Sequence, residues 1–291
     1  MSLSLTTKLR YISACAIKTL RSRDFACPSC MNKHSVIVDR KWLFTSLRRC
    51  DMCKLLYRAP TTSAQENAAF YQTEYQQGVT TDMPTDQELA ALVRAQFAGH
   101  EKNYDGYLQV LRALDCKPDA KLLDFGCSWG YGSYQLARAG YAVDAYEISK
   151  PRAEYARAKL NVSTKQLAEL EHGAYDIFFS AHVIEHVPSV SEMIALGMQC
   201  LKPDGLFIAF TPNGSDASRA RNPEAWHKQW GLVHPQLIDD AYLRHQFQNM
   251  PLLVATTPYP LEQIAQWQRA AQPFITNAQG GELMFAAQKR A

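Results

Sequence analysis

No apolar run in this 291-residue chain approaches the ~20 residues needed to span a membrane. A secretory leader is also missing from the pattern. The apolar piece from Tyr11 to Ile17 is short, and Lys18, Arg21 and Arg23 follow it, the reverse of the usual order of charge and apolar core. A cytoplasmic location is therefore the default expectation. There is no internal repeat and no low-complexity tract, which excludes solenoids and disordered linkers. Charge of one sign is scarce overall: 31 Lys+Arg stand against 28 Asp+Glu, a formal +3. Hydrophobic residues make up 47% and charged residues 20%, so the chain can hold one large domain or one medium and one small domain around packed cores.

What charge there is lies unevenly. Residues 1–60 hold 12 Lys/Arg against 3 Asp/Glu, a formal +9, and the remainder holds 19 against 25, or −6. This is either a solvated basic face or a surface for anions such as nucleotide-sugar phosphates, anionic lipid or RNA. Residues 5–23 carry Leu5, Leu9, Ile12, Ala16 and Leu20 near helical spacing. That predicts a basic amphipathic helix, suited to packing, to dimer formation or to peripheral contact with a membrane.

Four of the eight cysteines make a pattern. Cys27-Pro-Ser-Cys30 and Cys50-Asp-Met-Cys53 are two C-x2-C knuckles, each offering two thiolates at the bite of tetrahedral zinc. Ser35–Val38 and Trp42–Phe44 read as short strands between them, as in a zinc ribbon. A disulfide scaffold does not suit a cytosolic chain, and a redox C-x-x-C would sit in a βαβ unit. Four thiolates fill the coordination sphere, so the metal is expected to be structural. His34 is a further conceivable ligand, and Cys15, Cys116, Cys127 and Cys200 are expected to be buried thiols.

Leu122-Leu123-Asp124-Phe125 leads into Gly126-Cys127-Ser128-Trp129-Gly130-Tyr131-Gly132 and then a helical pattern; a second strand pattern, Tyr141–Tyr146, ends at Glu147. This is a strand, a glycine turn, a helix and a second strand tipped by a carboxylate. The arrangement suits a nucleoside, whose ribose hydroxyls a strand-tip carboxylate can accept. The spacing is not G-x-G-x-x-G, and no Gly-Lys-Ser/Thr follows the turn, so the phosphate cradles of dinucleotide and P-loop sites are absent. Downstream, Tyr175–Ser180 forms a third strand running into Ala181-His182-Val183-Ile184-Glu185-His186-Val187. Leu201-Lys202-Pro203-Asp204-Gly205 reads as a turn before Leu206–Phe210 and Thr211-Pro212-Asn213.

In these ordered segments the chain resembles the class I S-adenosylmethionine (SAM)-dependent methyltransferases. Their first motif reads D/E-x-G-x-G-x-G, with Ser128 here in a usual glycine position; their later motifs are V-L-E-H and L-K-P-G-G, with Asp204 here for the first glycine. The two cysteine knuckles, Pro60 and the Phe70-Tyr71…Tyr75 segment are similar to a bacterial subgroup that methylates sugars, glycans and natural products. The resemblance implies an α/β, Rossmann-like, doubly wound seven-stranded sheet. It implies SAM held by Asp124, Gly126, Cys127, Ser128 and Gly130, with Glu147 on the ribose, Ile148 on adenine, and Ser180 and His182 beneath the sulfonium.

The expected organisation is a basic helix over 1–24, a zinc ribbon over 25–60, a connector and helical cap over 61–118, and the SAM-binding domain over 119–291. The cap is expected to hold a long helix from Thr85 to Leu114, and the SAM-binding domain last strands at Leu252–Thr257 and Glu282–Ala287 and a helix from Leu261 to Ala271. Transfer to a hydroxyl needs a proton acceptor, and histidine has the right unperturbed pKa. His186 is the first choice and His182 the second. His227 and His234 are alternatives from the segment Ala225–Pro235, where Trp226, His227 and Trp230 could contact a sugar ring or aromatic acceptor. His182, Glu185 and His186 stand where some ubiquinone-type O-methyltransferases carry E-x-x-E-H around a divalent cation, but His182 replaces the first acid. The leading function is methyl transfer to a small-molecule or glycan-type hydroxyl, with an anionic acceptor as one option. RNA methylation through the basic ribbon and a non-catalytic SAM-binding scaffold are the alternatives. The oligomeric state is not legible.

Overall fold

A computed structural model describes residues 5–21, 25–73 and 82–290. Arg23, Tyr75 and the side chain of Leu5, all used above, lie outside this description. The basic stretch folds as α1 (Leu5–Arg21), which buries Cys15 and leaves Leu9, Ile17 and Leu20 exposed. An antiparallel sheet follows, with β1 (Ser35–Lys41) on β2 (Thr45–Cys50) and β2 on β3 (Leu56–Ala59). The expected strand at Trp42–Phe44 is corrected: these residues form the hairpin turn. Trp42 takes φ +54° there, a left-handed conformation that ends a strand.

The connector gives α2 (Ala64–Thr73), α3 (Asp86–Arg94) and α4 (Asp105–Ala113). The single long helix expected over 85–114 is thus two. Thr85 and Glu88 make a reciprocal capping box that starts α3 and fixes two otherwise unpaired backbone donors. The break comes where Gln96, Phe97 and Gly99 adopt positive φ. That turn buries Phe97 completely and stacks it on Trp129 at 6.4 Å between ring centroids. Burying a phenyl ring contributes about 1.5–3 kcal/mol, enough to override helical spacing in so short a segment.

From Lys121 strands and helices alternate: β4 (Lys121–Phe125), α5 (Tyr131–Arg138), β5 (Ala142–Tyr146), α6 (Lys150–Leu160), β6 (Ser163–Lys165), β7 (Tyr175–Ala181), α7 (Val190–Cys200) and β8 (Leu201–Pro212). Then come α8 (Asp216–Arg221), α9 (Pro223–Gln229), β9 (Gln236–Leu237), α10 (Asp240–Gln246), β10 (Leu252–Thr256), α11 (Leu261–Ala265), β11 (Phe274–Ile275) and β12 (Glu282–Gln288). The helix expected to reach Ala271 stops at Ala265.

The main sheet has the order β11-β10-β12-β8-β7-β4-β5-β6. Strands β6, β5, β4, β7 and β8 pair in parallel, while β12 is antiparallel to both β8 and β10. This is the doubly wound seven-stranded sheet, extended by the two-residue edge strand β11. The chain turns back at β4 and β7, and ligands of such sheets bind outside the strand ends at that switch point. Alternation fills both faces: Phe178 stacks on Phe207 at 4.5 Å on one side, and Phe179 meets Phe210 at 5.6 Å on the other.

The expected turn at Leu201–Gly205 is instead part of β8. Its register to β7 jumps from Tyr175↔Leu201 to Ile177↔Leu206, so the extra residues form a bulge, with Asp204 at φ +63°.

The small sheet is completed from far away. Strand β9 pairs with β3 through Leu56↔Leu237 and Tyr57↔Gln236. Trp226, Trp230 and Leu237 pack with Leu47 and Leu56 of the ribbon in one buried cluster.

Candidate active site

The turn after β4 needs glycine for two separate reasons. Gly126 and Gly130 both take φ +88°. A Cβ on Gly126 would stand 2.3 Å from the Val183 side chain, and one on Gly130 would stand 2.8 Å from Ala156. Ser128 holds φ +53°, which costs an L residue roughly 1–2 kcal/mol. Two contacts offset that cost: its N–H donates to Glu147 Oε2 at 2.8 Å, and its hydroxyl accepts from the buried Arg152 guanidinium at 2.9 Å. Cys127 is buried, and both it and Gly126 donate backbone N–H groups to the Tyr146 carbonyl, tying the turn to the next strand.

Glu147 thus sits at the tip of β5, directly beside the turn. Its second oxygen accepts the Ser149 N–H at 2.8 Å. Burial pushes its pKa up, and these two backbone donors pull against that rise. Each carboxylate oxygen has a second lone pair, so the group keeps capacity for two hydroxyls. Asp124 is 2% exposed and accepts the Ser133 hydroxyl at 2.6 Å. Burial lifts its pKa to about 7, with the Ser133 bond opposing and Glu147 adding to the rise. Ile148 follows Glu147, and its carbonyl accepts from the Gln72 amide at 2.7 Å. Ser180, fully buried at the end of β7, has a hydroxyl with no hydrogen-bond partner among the described residues. A buried hydroxyl without a partner costs about 1–3 kcal/mol, and at a strand end next to a glycine turn a ligand can supply the missing bond.

The segment after β7 separates its two histidines electrostatically. His182 takes φ +56°. Its Nε2 lies 2.7 Å from Glu282 and its Nδ1 lies 3.4 Å from Glu185. Desolvation works against the charged ring, but the two carboxylates outweigh it and raise the pKa to about 10. Tyr107 and Tyr259 donate to the same Glu282 carboxylate. Glu185 is fully buried, and although burial alone would raise its pKa, His182 and His186 bring it down to about 2. His186 is the opposite case. Burial lowers its pKa to about 4 against the pull of Glu185, so its ring is neutral at pH 7. His186 Nδ1 lies 2.8 Å from the Val233 carbonyl, which makes Nδ1 the donor and leaves the lone pair on Nε2. His182 is therefore a cation that has no proton to accept, and His186 is a neutral ring that can accept one.

His234 comes to the same place from a distant loop, its ring 4.6 Å from that of His186. One ligand atom each from Glu185, His186 and His234 lies within 4.8 Å of the others, a donor set able to hold a divalent cation. His227 does not join them. It faces the ribbon, with Nδ1 2.6 Å from Asp39, and the Trp230 indole N–H donates to the same carboxylate at 2.8 Å. Trp226 and Trp230 are each 1% exposed, so their faces are spent on packing against β2 and β3 and are not open to a sugar ring. Sequence reading missed Arg152, Tyr107, Tyr259 and Glu282. Arg152 follows Glu147 closely enough to have been suspected; Glu282 lies a hundred residues from His182, and no local pattern links them.

A model of the methyltransferase domain family matches residues 100–256, more than half of the chain. The chain belongs to that family. The methyltransferase domain spans the glycine turn, Glu147 and the His182–His186 segment. Among similar proteins, the ubiquinone biosynthesis O-methyltransferase of Paramagnetospirillum magneticum is 30% identical over 145 residues, covering 47% of this chain and 53% of that protein. That of Nitrosococcus oceani is 28% identical over 129 residues, covering 41% and 52%. The chain spans about half the length of the curated relatives it matches. Among solved structures, a geranyl diphosphate C-methyltransferase from Streptomyces coelicolor A3(2) is 17% identical, covers 79% of this chain and 99% of that one, and superposes with a TM-score of 0.49.

Outside the methyltransferase domain, Cys27, Cys30, Cys50 and Cys53 converge, all four sulfurs lying within 4.8 Å of one another. Cys27–Cys53 and Cys30–Cys50 stand at 3.5 Å. A tetrahedron with Zn–S bonds of about 2.3 Å has edges of about 3.8 Å, so the cluster fits a zinc ribbon. His34 is exposed and outside it. Cys15 and Cys200 are buried thiols as expected, while Cys116 is only partly buried. No described helix is long and apolar enough to cross a membrane.

Proposed function

We propose that the protein transfers a methyl group from SAM to a hydroxyl oxygen of a small-molecule acceptor. The observation that carries this reading is the pairing of the Gly126–Gly130 turn with Glu147 at the switch point of the sheet. Asp124 and the turn hold the methionine end, Glu147 takes the ribose hydroxyls, Ile148 packs on adenine, and the unpartnered Ser180 hydroxyl faces the donor. SAM supplies an activated methyl for in-line displacement. The chain itself holds donor and acceptor in line and takes the hydroxyl proton. His186 is the base, because its Nδ1 proton goes to the Val233 carbonyl and its Nε2 carries the lone pair, and His182 is a fixed positive charge. The relatives named for ubiquinone O-methylation support an oxygen acceptor. Zinc on the four cysteines is structural, since four thiolates leave no open position.

A glycan acceptor loses support from the packed indoles of Trp226 and Trp230. RNA docking drew on the cations of residues 1–60, and many are engaged: Arg49 pairs with Asp239 at 2.5 Å, Lys18 with Glu66 at 2.7 Å, and Arg58 binds backbone carbonyls. Calorimetry with SAM and tritiated-methyl transfer into fractionated cell extract test the reading. Glu147→Ala is expected to weaken SAM binding about 10- to 100-fold. His186→Ala is expected to leave it intact and lower turnover about 100-fold. Label appearing only in the RNA fraction, or no SAM binding by the unaltered chain, would overturn it.

A further inference from the structure

A cavity of about 330 Å³ lies between α1, α2, the chain after β3 and the segments around His186 and Val233. Nothing in the proposed SAM site uses it, yet it touches that site twice. His186 is in its wall, with Tyr71 standing edge-on to the histidine ring at 6.4 Å. Gln72, the next residue of α2, donates to the Ile148 carbonyl beside Glu147. Helix α2 therefore runs from the cavity to the expected adenine side of the donor.

The walls combine two chemistries. Tyr11, Phe70, Tyr71, Pro60, Pro188 and Pro235 give flat apolar surface. Against this stands an uncompensated buried charge. Arg58 is 2% exposed, and its donors go to the carbonyls of Pro60, Gly231 and Leu232 and to the Thr62 hydroxyl. No described carboxylate pairs with it. Carbonyl oxygens satisfy its hydrogen bonds but leave its charge in place, and a buried charge is costly unless it is paired. The one acidic residue among the described wall residues, Glu66, is bound to Lys18 at 2.7 Å. With Lys18 and Glu66 cancelling, Arg58 leaves its positive charge in the described wall. The guanidinium stands over the Tyr11 ring, 5.2 Å from its centroid. The Tyr11 hydroxyl is buried beside this guanidinium and the Cys15 thiol.

We infer that this cavity is the acceptor pocket and that the acceptor is a small aromatic hydroxyl compound bearing an anionic group, a carboxylate or a phosphate. The anion faces Arg58 and the Tyr11 hydroxyl, the ring lies between Tyr11, Phe70 and Tyr71, and the reacting hydroxyl points to His186. The volume is at the lower end of the ~300–1,000 Å³ of small-molecule sites, which suits a single substituted ring and not a nucleotide sugar. The inference rests on the methyl-transfer reading, since it places the acceptor beside the proposed base.

The test is titration calorimetry of the full chain saturated with S-adenosylhomocysteine, using 4-hydroxybenzoate, 4-hydroxyphenyl phosphate and the uncharged methyl 4-hydroxybenzoate. One or both anions should bind at least tenfold more tightly than the ester, and which of them leads distinguishes carboxylate from phosphate. Arg58→Met should remove that preference while leaving ester affinity within about twofold. Tyr11→Phe, which removes only the hydroxyl, should weaken the better anion about three- to tenfold and leave the ester unchanged, so the question is decided even if Arg58→Met does not fold. Equal affinity for anions and ester, or no binding of either anion to a chain that binds S-adenosylhomocysteine, overturns the inference and leaves the methyl-transfer reading standing. Failure to bind S-adenosylhomocysteine at all sinks that reading, and the acceptor pocket with it.

Discussion

Asp124 and His182 carry the two displaced protonation states that matter at the strand ends. Asp124 is half protonated near neutrality, because burial lifts its pKa to about 7. A cationic sulfonium arriving nearby favours the ionised form. SAM binding at pH 6.5–7 is therefore expected to release up to one proton, seen as a dependence of calorimetric enthalpy on buffer ionisation heat, and Asp124→Asn should abolish it. His182 works in the other direction. Its pKa is about 10 in the fold against ~6.5 unfolded, so its contribution is complete below about pH 6.5 and fades as pH rises towards 10. The melting-temperature deficit of His182→Gln should be largest near pH 6 and shrink steadily towards pH 10; a deficit constant across that range would show that the ion pairs with Glu185 and Glu282 do not set it. Single residues were also where the sequence was least explicit. Asp124, Glu147 and the two histidines stood out by motif, but Glu282, Tyr107 and Arg58 acquire meaning only from neighbours far along the chain.

At the level of elements, the strands of the main sheet were legible because β4, β7 and β8 each carry a short apolar run (Leu122–Leu123, Ile177–Phe179, Leu206–Phe210) near turn residues, the pattern of strands buried on both faces. Helix ends and turns were less so. Phe97 broke one expected helix by burying itself, and Trp42 turned an expected strand into a hairpin bend. The cysteine knuckles were legible by spacing alone, since each C-x2-C turn offers two thiolates at the bite of tetrahedral zinc. If zinc holds β1–β3 together, Cys53→Ser is expected to destabilise the protein by roughly 3 kcal/mol or more, and a thiol-directed mercurial should release about one zinc per chain while lowering the melting temperature. An unchanged melt after metal release would separate the metal from the fold.

The molecule as a whole joins its two sheets through β9, which could not be anticipated because a two-residue strand has no periodicity to read. Leu237 is fully buried in one cluster with Leu56 of β3, Trp226 of α9 and Trp230 just after it. Leu237→Ala is expected to cost about 2–5 kcal/mol and also to speed zinc loss to a chelator, although the residue belongs to the C-terminal half. Zinc release and loss of near-ultraviolet signal from the buried tryptophans should follow one transition in denaturant. Two separated midpoints would mean that the sheets unfold independently.

The pairing of β3 with β9 also sets a schedule for biosynthesis. The cysteines and β3 leave the ribosome early, but the strand that completes their sheet is made only after nearly all of the main sheet's parallel strands. At about 5–20 residues per second the ribbon waits roughly 10–35 s with the edge of β3 uncovered. During that interval an unpaired strand edge and reactive thiols are both exposed to the cell. If the cysteines hold zinc, early capture of metal by the nascent chain would protect the thiols and tie the yield of folded protein to zinc supply during translation.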